Sequence, residues 1–274
     1  MPVTKLFVEG KMDEELLASV CQGKPLVVGL KCSKNALAPR TLTERANVPA
    51  ACYLRDRDFD YKPLTDTSGL CVDKYDDKGN IVGWRWHRHS IENYLLEPAI
   101  VCSATRAHQH DYLNALHHAA DKLKYYQAAR WTIGLIRSVL PPYYELQTFP
   151  DNVREYQLPN ECDLDRESSR KWTRQHIARF SEKILPHLDN ATIHNTFDEH
   201  AKLFSEENAL STETILVYFS GKDLISALNN WSCSVEIANA KALLHLLRNW
   251  VIDNPKESLD ALPEWRLLLD TMRQ

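Results

Sequence analysis

Acidic residues gather where two buried strands should end. In "KLFVEGKMDEELL" (residues 5–17) the apolar run Leu6-Phe7-Val8 gives way to Glu9, a glycine and then Asp13. In "AACYLRDRDFD" (50–60) a second run closes on Asp56 and Asp58, with Asp60 following. A turn accounts for Gly10 but not for the acids. Carboxylates that converge on one edge repel and raise one another's pKa unless a cation lies between them. Hard divalent ions such as Mg²⁺ take one or two carboxylates, with waters and phosphate oxygens completing the shell. An ion held in this way activates water and stabilises the leaving oxygen of a phosphodiester. Glu9, Asp13, Asp56, Asp58 and Asp60 are therefore candidate metal ligands, and the implied reaction class is phosphoryl transfer, most simply hydrolysis. Helix capping is the competing explanation, because a carboxylate favours the positive end of a helix dipole. It has most force for Asp13 alone and least for Glu9, Asp56 and Asp58 together.

Basic residues suggest a place for a polyanion. "WRWHRHSIENY" (84–94) sets Arg85 and Arg88 among two tryptophans and two histidines. Arginine suits bidentate phosphate recognition, so both are candidate nucleic-acid contacts. His87 and His89 would point the same way on a strand, but a half-exposed hairpin edge explains them without a metal. "RESSRKWTRQHIARFSEK" (166–183) is the most basic stretch. On an ideal helix Arg166 and Arg170 continue the line of Ile177 and Ile184, which is odd for a solvated face. Arg170, Lys171 and Arg174 are candidate contacts to RNA backbone or to a partner's acids, unless the helix begins only near Lys171.

The elements that must position these groups can be read from hydrophobic period and punctuation. Leu6–Val8 is continuously apolar, as strands covered on both faces are. Met12, Leu16, Leu17 and Val20 form a helical stripe that stops near Gly23. "PLVVGL" (25–30) and 50–60 are two further strands, and Asn35 to Asn47 a helix interrupted at Pro39. Strand–helix–strand–helix–strand is the pattern of a parallel α/β sheet, whose ligands bind beyond the carboxyl ends of the strands. Strand alternation would turn Asp56 and Asp58 to the same side. "LCVDKYDDKGNIVGWRW" (70–86) reads as a β-hairpin, and "SIENYLLEP" (90–98) as a short helix with a serine N-cap. Helical patterns dominate 103–205, "ETILVYFSGKDLISALNNW" (213–231) returns to strand, turn and helix, and 236–250 and 264–273 are helices. Core packing explains the apolar C-terminal helices first, and a homodimer interface or docking onto a regulator second.

The bulk numbers exclude little. The 274 residues suffice for one large domain or two small ones. A net charge of −4 shows no basic field for nucleic acid, though a site built of acidic ligands carries negative charge of its own. The seven cysteines are odd in number and form no C-x-x-C pair, which suits reduced thiols. With neither signal-peptide pattern nor apolar span, the expectation is a soluble, cytoplasmic protein without a membrane partner.

Glu9 in "VEGKMDEELL", followed by the D-x-D of "RDRDFD", resembles a TOPRIM domain, the metal-binding fold of topoisomerases, bacterial primases and the OLD nucleases. "HSIENYLLEP" and "FSGKDLISAL" resemble, more narrowly, the OLD-related TOPRIM group that supplies the effectors of the PARIS anti-phage system. The resemblance covers about 1–100, with an echo near 213–231. It implies a Rossmann-like parallel sheet with a β-hairpin, residues 1–102 completed by 211–232, a helical insertion at 103–210 and C-terminal helices at 233–274. It implies Glu9 as metal ligand or general base and Asp56 and Asp58 as ligands of Mg²⁺ or Mn²⁺. Asp13 matches a second acidic position, Glu92 is a further candidate ligand, and Lys222 would stabilise phosphate charge in the transition state. The implied activity is endonucleolytic, on host tRNA in preference to DNA, with an ABC-type ATPase sensor as the restraining partner. A non-catalytic regulatory subunit of the same fold is the alternative. No tyrosine stands out as a topoisomerase nucleophile, and no Cys/His set has the spacing of a primase zinc module.

Overall fold

The computed structural model describes residues 1–30, 34–63, 70–138, 148, 157–159, 164–179, 190–205 and 210–274. It is an α/β protein, with an N-terminal, mostly parallel sheet flanked by helices and a large helical region after it. The strands are β1 (Lys5–Val8), β2 (Leu26–Gly29), β3 (Ala51–Arg55), β4 (Cys71–Tyr75) and β5 (Ile81–Arg85). They lie in the order β2-β1-β3-β5-β4, and only the edge strand β4 is antiparallel to its neighbour.

Local sequence explains each of these elements. Helix α1 (Lys11–Cys21) buries Leu16, Leu17 and Val20, and ends with Gln22 and Gly23 at positive φ, the usual stop for a helix. Helix α2 (Lys34–Glu44) runs through Pro39 without the expected interruption. Its Leu37 packs with Phe7, Tyr53 and Val82 on one face of the sheet. The β4–β5 hairpin forms as expected. Asp76 Oδ1 accepts from the Lys78 and Asn80 amides at 3.0 and 2.9 Å and ties the turn.

Helix α3 (Ile91–Leu95) begins at Ser90, whose amide donates to Asn93 Oδ1 at 3.2 Å. This is the return half of a capping box. Ser90 and Asn93 are both buried, so Asn93→Ala strands a polar group and should lower stability by about 1–3 kcal/mol. An unfolding free energy within about 0.5 kcal/mol of wild type would show the cap to be dispensable.

The remaining helices are α4 (Pro98–Thr105), α5 (Gln109–Ser138), α6 (Arg166–Ala178), α7 (Asn190–Leu203), α8 (Thr212–Tyr218), α9 (Gly221–Ala227), α10 (Asn229–Ser234), α11 (Ala240–Asp253), α12 (Pro255–Ala261) and α13 (Pro263–Arg273). Residues 213–218, expected as a strand, are helical. Ser211 caps them by accepting from the Thr214 amide at 3.1 Å, and Ile215, Leu216 and Val217 are buried as part of a helix.

Two compact units result. One holds Met1–Arg57, Pro63–Ala107 and Leu244–Gln274; the other holds Asp58–Lys62 and His108–Leu243. Residues 244–274, with the C-terminal helices, belong to the unit that holds the sheet. The Val3 amide donates to the Met272 carbonyl at 2.7 Å, and Arg248 pairs with Glu15 of α1. In the helical unit, α5 buries Tyr112, Leu116, Ala120 and Leu123 and leaves His117 and His118 exposed. Ile184 lies outside the described residues. No helix among the described residues is long and apolar enough to cross a membrane.

Candidate metal and phosphate site

The sheet order creates a crevice at one particular place. From β1 the chain steps to β2 on one side, then crosses back over β1 to reach β3 on the other. Right-handed crossovers then put α1 and α2 on opposite faces. Beyond the carboxyl ends of β1 and β3 the exits diverge, and such a switch point is where open α/β sheets take ligands. Phe7 pairs with Tyr53 in these two strands, so Glu9 and Asp56 both emerge at that point. The Asp56 amide donates to Glu9 Oε1 at 3.1 Å, joining residues 47 apart in sequence.

The first turn of α1 brings more acid to the same junction. Asp13 is buried, and its Oδ2 lies 3.2 Å from where a side chain on Gly10 would begin. Glu14, which the sequence reading did not single out, also belongs here. Its amide donates to the Gly10 carbonyl at 3.2 Å. Its carboxylate approaches the end of β2 so closely that a Cβ on Gly29 would lie 2.9 Å from it, and 2.8 Å from the Gly10 oxygen. Only a glycine at position 29 admits this approach. The run of three acids Asp13, Glu14 and Glu15 just after a strand end is the signal that could have found Glu14.

The other candidates are distributed differently. β3 ends at Arg55, so Asp56 and Asp58 follow the strand instead of alternating along it, and Asp58 turns at φ +50°. Asp60 is held by Arg137, whose Nε donates to Oδ1 at 2.8 Å, so a guanidinium pairs with this carboxylate. Glu92 is buried in the first turn of α3. Lys222 is exposed at the start of α9, in the helical unit. The charge with buried partners in that motif is instead Asp223.

The arginines expected to face a polyanion have internal partners. Arg85 donates to Asp73 at 3.3 Å. Arg88 is buried, donates to Glu97 at 2.7 Å and lies over the Tyr94 ring. Arg170 donates to Asp198 at 3.3 Å, which, with Arg166 on the same carboxylate, accounts for the odd line of arginines on α6. The helix starts at Arg166, capped by Asp165, and not near Lys171. Lys171 and Arg174 alone of these five are exposed.

The segment after β5 is anchored by a residue far away in sequence. Glu264 accepts from the His87 amide at 2.9 Å and from the Tyr94 hydroxyl. Burial, with the Glu264 carboxylate beside it, pushes the Tyr94 phenol well above its ordinary pKa. A cleft of about 620 Å³, lined in part by Arg45, Cys52, Asp76 and Trp84, opens at the amino ends of the strands, away from the acidic edge.

Among the described residues, no three His, Cys, Asp or Glu side chains are close enough together to enclose an ion by themselves. What Glu9 and Asp56 offer is a partial, all-oxygen pair of donors, with Asp13 in the first turn of the helix that follows. That suits an ion which keeps several waters and borrows substrate oxygens, and does not suit a protein-enclosed zinc site. Compared with known proteins, the chain matches no protein-family model and no curated protein.

Proposed function

We propose that the chain is a divalent-metal-dependent endonuclease of TOPRIM type, with Glu9 and Asp56 at the centre of its site and Asp13 beside them. The observation that supports this most directly is the hydrogen bond from the Asp56 backbone amide to the Glu9 carboxylate at the switch point. It brings two acidic residues to the place where a parallel sheet takes ligands. Mg²⁺ or Mn²⁺ would be held by Glu9 and Asp56, with Asp13 beside them. The bound ion would supply an activated water and offset charge on the phosphodiester. The chain's own contribution is orientation. The Asp56 amide fixes the rotation of the Glu9 carboxylate, and α1 anchors Asp13 against Gly10.

Substrate and partner rest on the resemblance in "HSIENYLLEP" and "FSGKDLISAL". It supports host tRNA in preference to DNA, and an ABC-type ATPase that restrains the nuclease until infection is sensed. The test uses the isolated chain, free of any restraining partner, with total tRNA and supercoiled plasmid, each with Mg²⁺, Mn²⁺ or EDTA. Cleavage of tRNA with either ion, and none with EDTA, is the expected result. Nicking of plasmid alone would reassign the substrate to DNA. Two intact substrates in Mn²⁺ would point to the regulatory-subunit alternative and overturn the enzymatic reading.

A further inference from the structure

Asp56 is bracketed by two tethers to the chain leaving β5, the strand beside β3. Just before it, the Arg55 carbonyl accepts from the Trp86 amide at 3.0 Å. Just after it, Arg57 Nε donates to the His87 carbonyl at 2.8 Å. Arg57 is only 1% exposed, and arginine is almost never buried so fully unless it is paired. The other backbone group of His87 is held as well, because its amide donates to Glu264 Oε1 at 2.9 Å. A cation thus grips this residue through its carbonyl and an anion through its amide, by charge-assisted bonds roughly twice as strong as neutral ones. Glu264 is itself firmly seated. It lies in the first turn of α13, and its second oxygen accepts from the Tyr94 hydroxyl, which in turn accepts from the Arg88 amide at 3.2 Å. Next to it Trp265 stacks on Trp86 at 5.9 Å, and Trp86 meets Tyr94 at 4.8 Å; all three rings are buried. Every residue in this chain of contacts lies in the sheet unit.

We infer that Arg57 and Glu264 are positioning residues for the acidic edge: Arg57 ties the exit of β3 to His87, Glu264 ties His87 to the C-terminal helix α13, and together they hold the Asp56 amide on Glu9. The middle residue of the D-x-D is then part of the support behind the edge, not a contact to substrate. The inference rests on the metal-site reading for its consequence, but not for its geometry.

Two readouts separate the two. The first is hydrogen exchange of the Asp56 amide, followed by nuclear magnetic resonance without metal. Arg57→Met fills the buried volume but cannot donate, and should speed that exchange about tenfold, as the loss of one buried hydrogen bond implies. Arg57→Lys should recover part of the protection. Glu264→Gln leaves one carbonyl oxygen for both the His87 amide and the Tyr94 hydroxyl; it should move both readouts the same way, and stands in for Arg57→Met if that variant does not fold. The second readout is Mn²⁺ binding, followed by the loss of the free-ion electron paramagnetic resonance signal. Loss of support behind a metal ligand typically weakens affinity about 10–100-fold, so Arg57→Met should bind at least about tenfold more weakly. Arg45→Gln is the control. Arg45 donates to the Ala51 and Ile81 carbonyls, at the amino ends of the same two strands. Its loss should lower the melting temperature and leave Asp56 exchange and Mn²⁺ affinity within about twofold of wild type. Unchanged Asp56 exchange in Arg57→Met, or in its stand-in, overturns the inference. Equal acceleration in Arg45→Gln would mean general loosening and also overturn it, as would faster exchange at undiminished Mn²⁺ affinity. Faster exchange with no Mn²⁺ binding even by the wild type would uphold the tethers and sink the metal-site reading instead.

Discussion

Replacing Glu9 by glutamine should abolish nuclease activity and leave the unfolding midpoint in place. Glutamine keeps the Glu9 shape and a carbonyl oxygen that still accepts from the Asp56 amide. The turn after β1 therefore retains its hydrogen bond, and a half-buried, isosteric change there should alter stability by no more than about 0.5 kcal/mol. What is lost is the negative charge. A neutral amide oxygen is a poorer donor to a hard divalent ion and cannot serve as a base, so the rate should fall by at least about 100-fold. Glu9→Ala is the less clean variant, because it also leaves the Asp56 amide without that acceptor. Asp56→Asn should match Glu9→Gln, whereas Asp13→Asn should have a smaller effect if Asp13 mainly favours the α1 dipole. Single-turnover cleavage in Mn²⁺ reads all three. Activity of Glu9→Gln within threefold of wild type would rule out the acidic edge as the site.

How much of this could be read beforehand depended on the range of the interaction. The strands and helices from Lys5 to Arg55 were legible because each is announced by a local feature: an apolar run, a helical stripe, Gly23 after α1. So was α3, whose cap lies three residues from its partner. The run "TILVYF" was misread as a strand because a short apolar stretch with β-branched residues does not distinguish a buried helix turn from a buried strand. Ser211 before it, a good N-cap, was the overlooked signal. The charged residues were least legible. Nothing near Arg85 or Arg88 says that Asp73 and Glu97 will neutralise them, and nothing near Asp60 announces Arg137, 77 residues on. Partners of this kind are set by the fold, so a sequence reading overestimates the charges left to face a ligand. Glu9 with Asp56 was legible despite a similar separation, because the edge of a parallel sheet is itself predictable from the β-α-β pattern.

Asp223 illustrates the same point with the largest stability effect expected in the molecule. Its neighbour Lys222 drew attention in the sequence, but Asp223 is the buried one. Its carboxylate accepts from Gln127 Nε2 at 2.7 Å and pairs with Arg130, while the Ser220 amide donates to Gln127 Oε1 at 3.0 Å. Burial, the largest single effect, would lower the Arg130 pKa; the charge and hydrogen bond of Asp223, with Tyr126 and Asp58, together outweigh it, and the guanidinium stays above its ordinary value. With both side chains only 10% exposed, water can do little to replace a missing partner. Asp223→Ala leaves a buried cation and a buried amide unsatisfied and should destabilise the helical unit by about 3–5 kcal/mol. Removing both charges is a different matter, because desolvating the pair consumes much of what their attraction returns. An Asp223→Leu/Arg130→Met double variant should recover most of the loss, to within about 1–2 kcal/mol of wild type. Urea unfolding of the two single variants and the double variant measures the coupling. If Asp223→Ala costs under about 1 kcal/mol, Arg130 has a route to solvent and the network is not what holds α9 on α5. Because Arg130 also lies over Phe59, the Asp223→Ala loss should appear with faster exchange at 58–60, whereas the double variant, with methionine still packing on that ring, should keep the segment seated.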